Sequence, residues 1–428
     1  MPMERFDAIV VGGGPAGLSA AYFLSRKGFS VAVLERGSTL GSKNIFGGRI
    51  YSYIFDKYFP SSWRDEAPVE RWIRRERFSL LCGDEAATLE YWRGSPPKRY
   101  DSFTAFLSKF LGWMGSLVEG EGGLVASGVK VDRLSLEDGV VKGVEAGEER
   151  LEADYVLVAE GVNTLLLERH GLRNGPALGS TALGIKEVVK LDRSIINERF
   201  LLDDDEGVAH LFLGGPLSPV RGGGFLYTMD EYLSIGAVVR LSDAGLEGPS
   251  MADVVEEVRA HPFIRKLVAG GVPVEYSAHL VREGGLRDVM EKPYGPGYMV
   301  LGDAAGYLLN TGFSIRGVDL AVETGRLAAE AVERCRSEGG PDCTKIYGDL
   351  LQGSLAHRVM RKFSSVGGFM DLRRLYSVYP NVACGILSDI YTTDEEPLKL
   401  REALSRAYKQ KIPLSTMLLD ALRGLMYL

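Results

Sequence analysis

The sequence predicts an α/β fold: a Rossmann-type domain assembled from separated stretches, an inserted antiparallel-sheet domain, and a helical C-terminal region. Three observations carry this. Near the N-terminus a strand-length apolar stretch runs straight into a glycine cluster and then into a helical pattern. From Thr181 to Val239 strand-like segments alternate with glycine and acidic turns, as in an antiparallel sheet. Beyond Gly339-Gly340-Pro341 the pattern is mostly helical.

The first unit is read residue by residue. Residues 6–11 are β-branched and apolar, Gly12-Gly13-Gly14-Pro15-Ala16-Gly17 follows at once, and a helical pattern with Leu18, Ala21, Tyr22 and Leu24 comes behind. A second strand, 31–34, ends on Glu35, completing one βαβ unit. Residues 102–119 read as a helix, and 129–136, 140–145 and 150–151 as a three-stranded meander. A buried strand, 155–159, returns to the parallel sheet. Residues 251–267 read as helical, 297–301 as a short apolar strand, and 314–336 as a helix. The expected division is therefore 1–100, 101–170 and 288–340 for the nucleotide domain, 171–287 for the antiparallel domain and 341–428 for the helical region.

Composition narrows the function classes. With 45% hydrophobic and 25% charged side chains in 428 residues, the chain is an ordinary globular one with a sizeable core. A net charge of −7 argues against nucleic acid as a partner. Its 53 glycines exceed the ordinary share of about 7% and fall in short runs, as tight turns and close backbone approach to a ligand require. Cys82, Cys335, Cys343 and Cys384 are scattered without a C-x-x-C pair, so reduced cytosolic thiols are expected, with no zinc or iron–sulfur ligand set and no metal site. The first apolar run is too short for a signal peptide, so the mature chain is expected to start near Met1 in the cytoplasm.

The chemistry sits in three segments. In Gly12-x-Gly14-x-x-Gly17 the first glycine makes the turn, the second lets a pyrophosphate approach, and the third allows helix–strand packing; Pro15 and Ala16 complete the set. The helix start then presents unpaired N–H groups to phosphate. Glu35 would bind ribose hydroxyls, and Arg36 after it joins the cofactor-binding set. NAD and FAD share this fingerprint, so the choice falls to Gly302-Asp303 after the strand at 297–301, and to Glu160-Gly161 after the strand at 155–159. Both segments resemble the glutathione-reductase-like flavoproteins, in which the Asp of the Gly-Asp pair bonds a ribityl hydroxyl of FAD. FAD is the cofactor this resemblance implies.

Further segments resemble the electron-transfer-flavoprotein:quinone oxidoreductase and FixC family. They are Gly47-Gly48-Arg49, Leu183-Gly-Ile-Lys-Glu-Val188, Gly222-Gly-Gly-Phe-Leu-Tyr-Thr228 and His261-Pro-Phe-Ile-Arg-Lys-Leu267. Tyr276-Ser-Ala-His-Leu-Val-Arg-Glu-Gly-Gly285 and Gly302-Asp-Ala-Ala-Gly-Tyr-Leu-Leu-Asn-Thr-Gly-Phe313 with Ile315-Arg-Gly317 extend the likeness over most of residues 6–391. The resemblance implies FAD-dependent electron transfer from an electron-transferring flavoprotein, with its alpha and beta subunits, to a membrane quinone. Full-length quinone oxidoreductases end in a cysteine cluster for a [4Fe–4S] centre, which this chain lacks. That departure fits FixC, whose centre resides on a ferredoxin-like subunit, and this chain would serve the quinone branch of such a complex, where the donor often bifurcates electrons.

By the same resemblance, Gly48 and Arg49 join the cofactor set. Asn310 and Thr311 would lie beside the isoalloxazine ring, and Gly312, Phe313 and Ser314 would complete its seat. The helix after Ser314 would point its positive end at the ring and stabilise the reduced, anionic flavin. Phe225, Leu226 and Tyr227 would form an apolar mouth for the quinone. Lys186 and Glu187 read first as a strand-surface ion pair, with a flavin or quinone role as the second reading, and the five histidines as structural.

A geranylgeranyl-reductase-like prenyl reductase is the competing enzyme reading, although its Tyr-x-Trp-x-Phe-Pro motif is absent. A flavin monooxygenase and a non-catalytic FAD-bearing scaffold are the others. The tail adds a location. Residues 399–411 carry five basic residues against one acid, and after them Leu414, Met417, Leu418, Ala421, Leu422 and Leu425 share one helical face. Such a face could lie peripherally on the anionic inner leaflet or pack on the chain's own domain or a partner.

Overall fold

Nineteen strands account for the architecture in the computed structural model, which describes residues 5–42, 47–94, 101–244, 250–338, 343–392 and 396–427. In chain order they are β1 (Arg5–Val11), β2 (Val31–Glu35), β3 (Gly47–Tyr51), β4 (Arg71–Cys82), β5 (Glu85–Trp92), β6 (Ser102–Phe106) and β7 (Leu124–Ser127). Then come β8 (Arg133–Glu137), β9 (Val140–Ala146), β10 (Glu149–Val158), β11 (Thr181–Lys190), β12 (Glu206–Gly214), β13 (Gly222–Thr228) and β14 (Tyr232–Arg240). The last are β15 (Val272–Arg282), β16 (Tyr294–Gly295), β17 (Tyr298–Val300), β18 (Leu309–Asn310) and β19 (Ile315–Arg316).

The first sheet runs β16-β17-β10-β1-β2-β7, with β8 and β9 added beside β10. β1 is parallel to both β10 and β2, and its inner residues Ala8, Ile9 and Val10 are fully buried, as a strand covered on both faces must be. The helices Pro15–Ser25 and Val318–Glu338 pack against each other over this sheet. The expected Rossmann unit is present with its glycine turn between β1 and the first helix.

The second sheet runs β15-β11-β14-β13-β12-β4-β6-β3, with β5 on β4. Its pairings are antiparallel except that of β12 with β4. Here the expected boundaries need correcting: β3, β4, β5 and β6 lie within 1–106, yet they pair in this sheet rather than with the nucleotide unit. Strand pairing is a tertiary choice, and nothing local in those segments names the partner sheet.

Three element assignments also change. Residues 102–106 are a strand, and the helix begins only at Leu107; Ser-Phe-Thr-Ala-Phe is buried between β3 and β4, which overrides the helical reading. The helix expected over 251–267 breaks at His261, because Pro262 has no N–H to continue it and His261 caps the next helix through Phe263 N. Residues 149–158 form one strand, which leaves the meander and enters the parallel sheet without interruption.

The cysteines are not free thiols: Cys82 pairs with Cys384 and Cys335 with Cys343. The first pair ties β4 to the helix Tyr379–Tyr391, 302 residues away in sequence, so its spacing carried no signal. The C-terminal region is helical as expected. On the helix Leu414–Tyr427, Met417 turns inward against the cluster of Val382, Ala407 and Ile412. Asp420 is buried in bonds from Arg374 at 2.9 Å and Tyr379 at 2.6 Å. Leu414, Leu418, Leu422 and Leu425 are exposed on the other side. The side chains of Lys409 and Lys411, like Gly339-Gly340-Pro341, lie outside the described residues. Among the described residues no helix is long and apolar enough to cross a membrane.

Candidate functional site

A cavity of about 590 Å³ runs from the glycine turn to one face of the second sheet. Its first end is built by the β1 unit. Gly12 has φ +108°, and a Cβ there would strike the carbonyl of Ala159, so the turn demands glycine. Gly14, by contrast, has no atom within 4 Å of where its Cβ would be, which leaves the backbone open to close approach. The helix starting at Pro15 has no side-chain cap, so its first N–H groups face the cavity with Ala16 among the lining residues.

Glu35 organises that end. Its Oε2 accepts from Gly13 N–H at 2.8 Å and its Oε1 from Gly37 N–H at 2.6 Å, which aims the carboxylate at the turn beside Arg36. Glu160 and Gly161 follow β10 and also line the cavity. Glu160 accepts from Leu166 N–H at 2.7 Å and Leu167 N–H at 2.9 Å, capping the helix Leu165–Arg169, and burial raises its carboxyl above the ordinary range.

Asp303 also lines the cavity, just after β17. Burial pushes its carboxyl up to about 6, against the opposing pull of the Arg282 and Arg173 guanidinium groups. Gly302 lies behind it, against Ala16, with its N–H donating to Thr324 Oγ1 at 3.0 Å; it and Gly17 support the wall without lining it.

The segment 309–316 departs from expectation. It forms a small hairpin of β18 and β19, and the helix begins at Val318, not at Ser314. Asn310 Oδ1 accepts from Gly312 N–H at 2.8 Å, and Thr311 exchanges bonds with Ser314, so both close the turn. Asn310, Gly312, Phe313 and Ser314 line the cavity, Thr311 does not, and Tyr51 donates to Ser314 Oγ at 3.1 Å. Arg49 lines the cavity but is held by Glu76 and by Ser102 Oγ at 2.9 Å, while Gly48 is buried in β3 away from the lining.

The far wall is the second sheet. Side chains alternate across a strand, so Phe225 and Tyr227 face the cavity, whereas Leu226 is fully buried in the core on the opposite face. The expected mouth of three residues is corrected to two. The same alternation separates Lys186 from Glu187. Lys186 is buried and faces the cavity, with burial lowering its amine to about 7, while Glu187 pairs with Arg259 at 3.5 Å. His279 of β15 and Gly184 of β11 share the cavity face through their pairing. From the sequence His279 reads as structural and Lys186 first as half of a surface ion pair; the alternation signal was present, but only the pairing register says which face looks inward.

The glycine turn open to close approach, the carboxylate at the end of β2 and the buried Asp303 fit an FAD molecule laid along this cavity. The protein is a FAD-dependent oxidoreductase. A family model described as NAD(P)-binding Rossmann-like domain matches residues 10–64. Over 99% of both chains, the sequence is 37% identical to Protein FixC of Salmonella typhi and to the probable electron transfer flavoprotein-quinone oxidoreductase YdiS of Escherichia coli K12. The chain belongs to the FixC and electron transfer flavoprotein–quinone oxidoreductase family.

Solved structures agree on the fold. A geranylgeranyl bacteriochlorophyll reductase-like protein from Thermoplasma acidophilum superposes with a TM-score of 0.73 at 17% identity, covering 98% of this chain and 100% of that one. A myxobacterial chondrochloren halogenase described as FAD-dependent gives 0.63 at 17%, covering 96% and 91%.

Proposed function

We propose that this protein transfers electrons from an electron-transferring flavoprotein, with its alpha and beta subunits, to a membrane quinone, working beside a ferredoxin-like [4Fe–4S] subunit. The observation that carries the reading is the continuity of one cavity from the Gly12 turn and Glu35 to the apolar wall at Phe225 and Tyr227. Bound FAD supplies the electron exchange. The protein binds and orients. Glu35, with Arg36 beside it, takes the ribose hydroxyls, the N–H groups after Gly14 face the pyrophosphate with Glu160 and Gly161 alongside, and Asp303 bonds the ribityl chain. Asn310, Gly312, Phe313 and Ser314 border the ring, with Thr311 holding their turn. Phe225 and Tyr227, stacked at 5.1 Å, present a flat apolar face to the acceptor.

Attachment is peripheral, on the inner face of the cell membrane. The exposed Leu414, Leu418, Leu422 and Leu425 support this, beside Lys399, Arg401 and Arg406 on the preceding stretch. The test is direct: the purified protein, reduced anaerobically, is mixed with a soluble quinone analogue and the flavin spectrum followed. Reoxidation that saturates with quinone is expected, and failure of quinone to reoxidise it while ferricenium does would overturn the reading.

A further inference from the structure

We infer that Lys186 and the open floor at Gly184 form the seat for the carbonyl-bearing edge of a planar quinone, an inference that rests on the function proposed above. The geometry begins with two glycines of opposite kind. A Cβ on Gly236 would collide with Phe225 Cζ at 2.7 Å and Lys186 Cβ at 2.8 Å, so the Phe225 ring and the Lys186 stem close over that glycine from two strands. Gly236 is therefore required by packing. Gly184 is not: its backbone is ordinary, and the atoms nearest to a Cβ there, His279 O at 3.5 Å and two valine methyls at 3.8 Å, are at ordinary contact distance. A longer side chain there would take its volume from the cavity that Gly184 lines.

The result is a slot of mixed character. On one side lies the Phe225–Tyr227 stack, its rings 23° apart. Lys186 lines the same face two residues along β11 from Gly184, and His279 of β15 pairs with Gly184. An amine carries two N–H donors when neutral and three when protonated, so beside the contact Lys186 already makes it has a further donor for a carbonyl oxygen at any pH near neutral. A flat ring with polar oxygens at its rim matches a flat apolar wall with a donor beside it, and a side chain at Gly184 would occupy the ring's place.

The test uses the FAD-loaded protein and a short-chain benzoquinone, with binding measured by titration calorimetry and flavin content by absorbance. Lys186→Met and Gly184→Val are each expected to weaken quinone binding about tenfold or more, with FAD per chain and reoxidation by ferricenium unchanged. Lys186→Gln, which retains an N–H donor, should lose less. Wild-type protein that binds no quinone would overturn the proposed function itself. Wild-type binding with unaltered affinity in both variants would overturn this inference alone. Loss of FAD from either variant would also overturn it, by assigning these positions to the cofactor.

Discussion

Phe225 and Leu226 are consecutive in β13 and belong to different compartments: the Phe225 ring stacks on Tyr227 in the cavity wall, while Leu226 is fully buried among Val208, Phe212 and Ile235 behind the sheet. Substitutions at the two sites should therefore separate. Leu226→Ala is expected to lower the unfolding free energy by about 2–5 kcal/mol, and Leu226→Asp by more, since the charge is buried unpaired. Phe225→Gln should keep its FAD and raise the half-saturating quinone concentration. Denaturant titration beside quinone kinetics checks both; equal stability losses with unchanged kinetics at Phe225 would contradict the assignment.

The Glu35 carboxylate joins the end of β2 to the glycine turn through Gly13 N–H. Glu35→Ala removes an acceptor for two backbone donors as well as the proposed ribose contact. FAD dissociation should strengthen with it, the affinity falling by the equivalent of about 1.5–3 kcal/mol. Fluorescence of released flavin on dilution measures this, and wild-type retention would count against the role.

Asp303→Ala should act at the same cofactor from the other side. A charge-assisted bond to a ribityl hydroxyl contributes about 1.5–3 kcal/mol, so FAD affinity is expected to drop about tenfold or more. Asp303→Asn preserves shape and an acceptor oxygen and should retain more flavin than Ala. The reverse order would show that volume rather than hydrogen bonding matters there.

His210 links stability to pH. It is fully buried on the core face of β12, with Nε2 2.7 Å from Ser79 Oγ, and burial lowers its imidazole to about 3, aided by Arg77. The unfolded chain titrates near the ordinary value of 6.5. Between those values the unfolded state holds a proton that the folded state refuses, so this group favours unfolding increasingly as pH falls from about 6.5 toward 3. The slope is at most about 1.4 kcal/mol per pH unit. Melting curves at pH 7, 6, 5 and 4 should show His210→Gln losing less stability on acidification than wild type.

Cys82–Cys384 and Cys335–Cys343 engage all four cysteines in pairs. The isolated chain should therefore carry no cluster iron, and iron and sulfide analysis should find neither in stoichiometric amount. Cluster iron that disappears on Cys→Ser substitution would refute both this expectation and the division of labour with a ferredoxin-like subunit.

The chemistry of the first unit is local and legible in the residues alone. An apolar strand, three spaced glycines, a helix and a terminal acid are contiguous over 30 residues, so backbone sterics and phosphate access can be read without knowing what packs where. The Gly302-Asp303 turn and the helical tail were legible for the same reason. Long-range packing, by contrast, sets which sheet claims β3 to β6, makes Ser102–Phe106 a strand and brings Cys82 to Cys384. It also decided the wall of the site. Strand residues alternate with period two, which predicts that Lys186 and Glu187, or Phe225 and Leu226, look opposite ways. Which of each pair looks into the cavity depends on pairing register across β15, β11, β14 and β13, set by contacts between segments as much as 100 residues apart. That register is a balance of packing over the whole sheet, and no local window contains it.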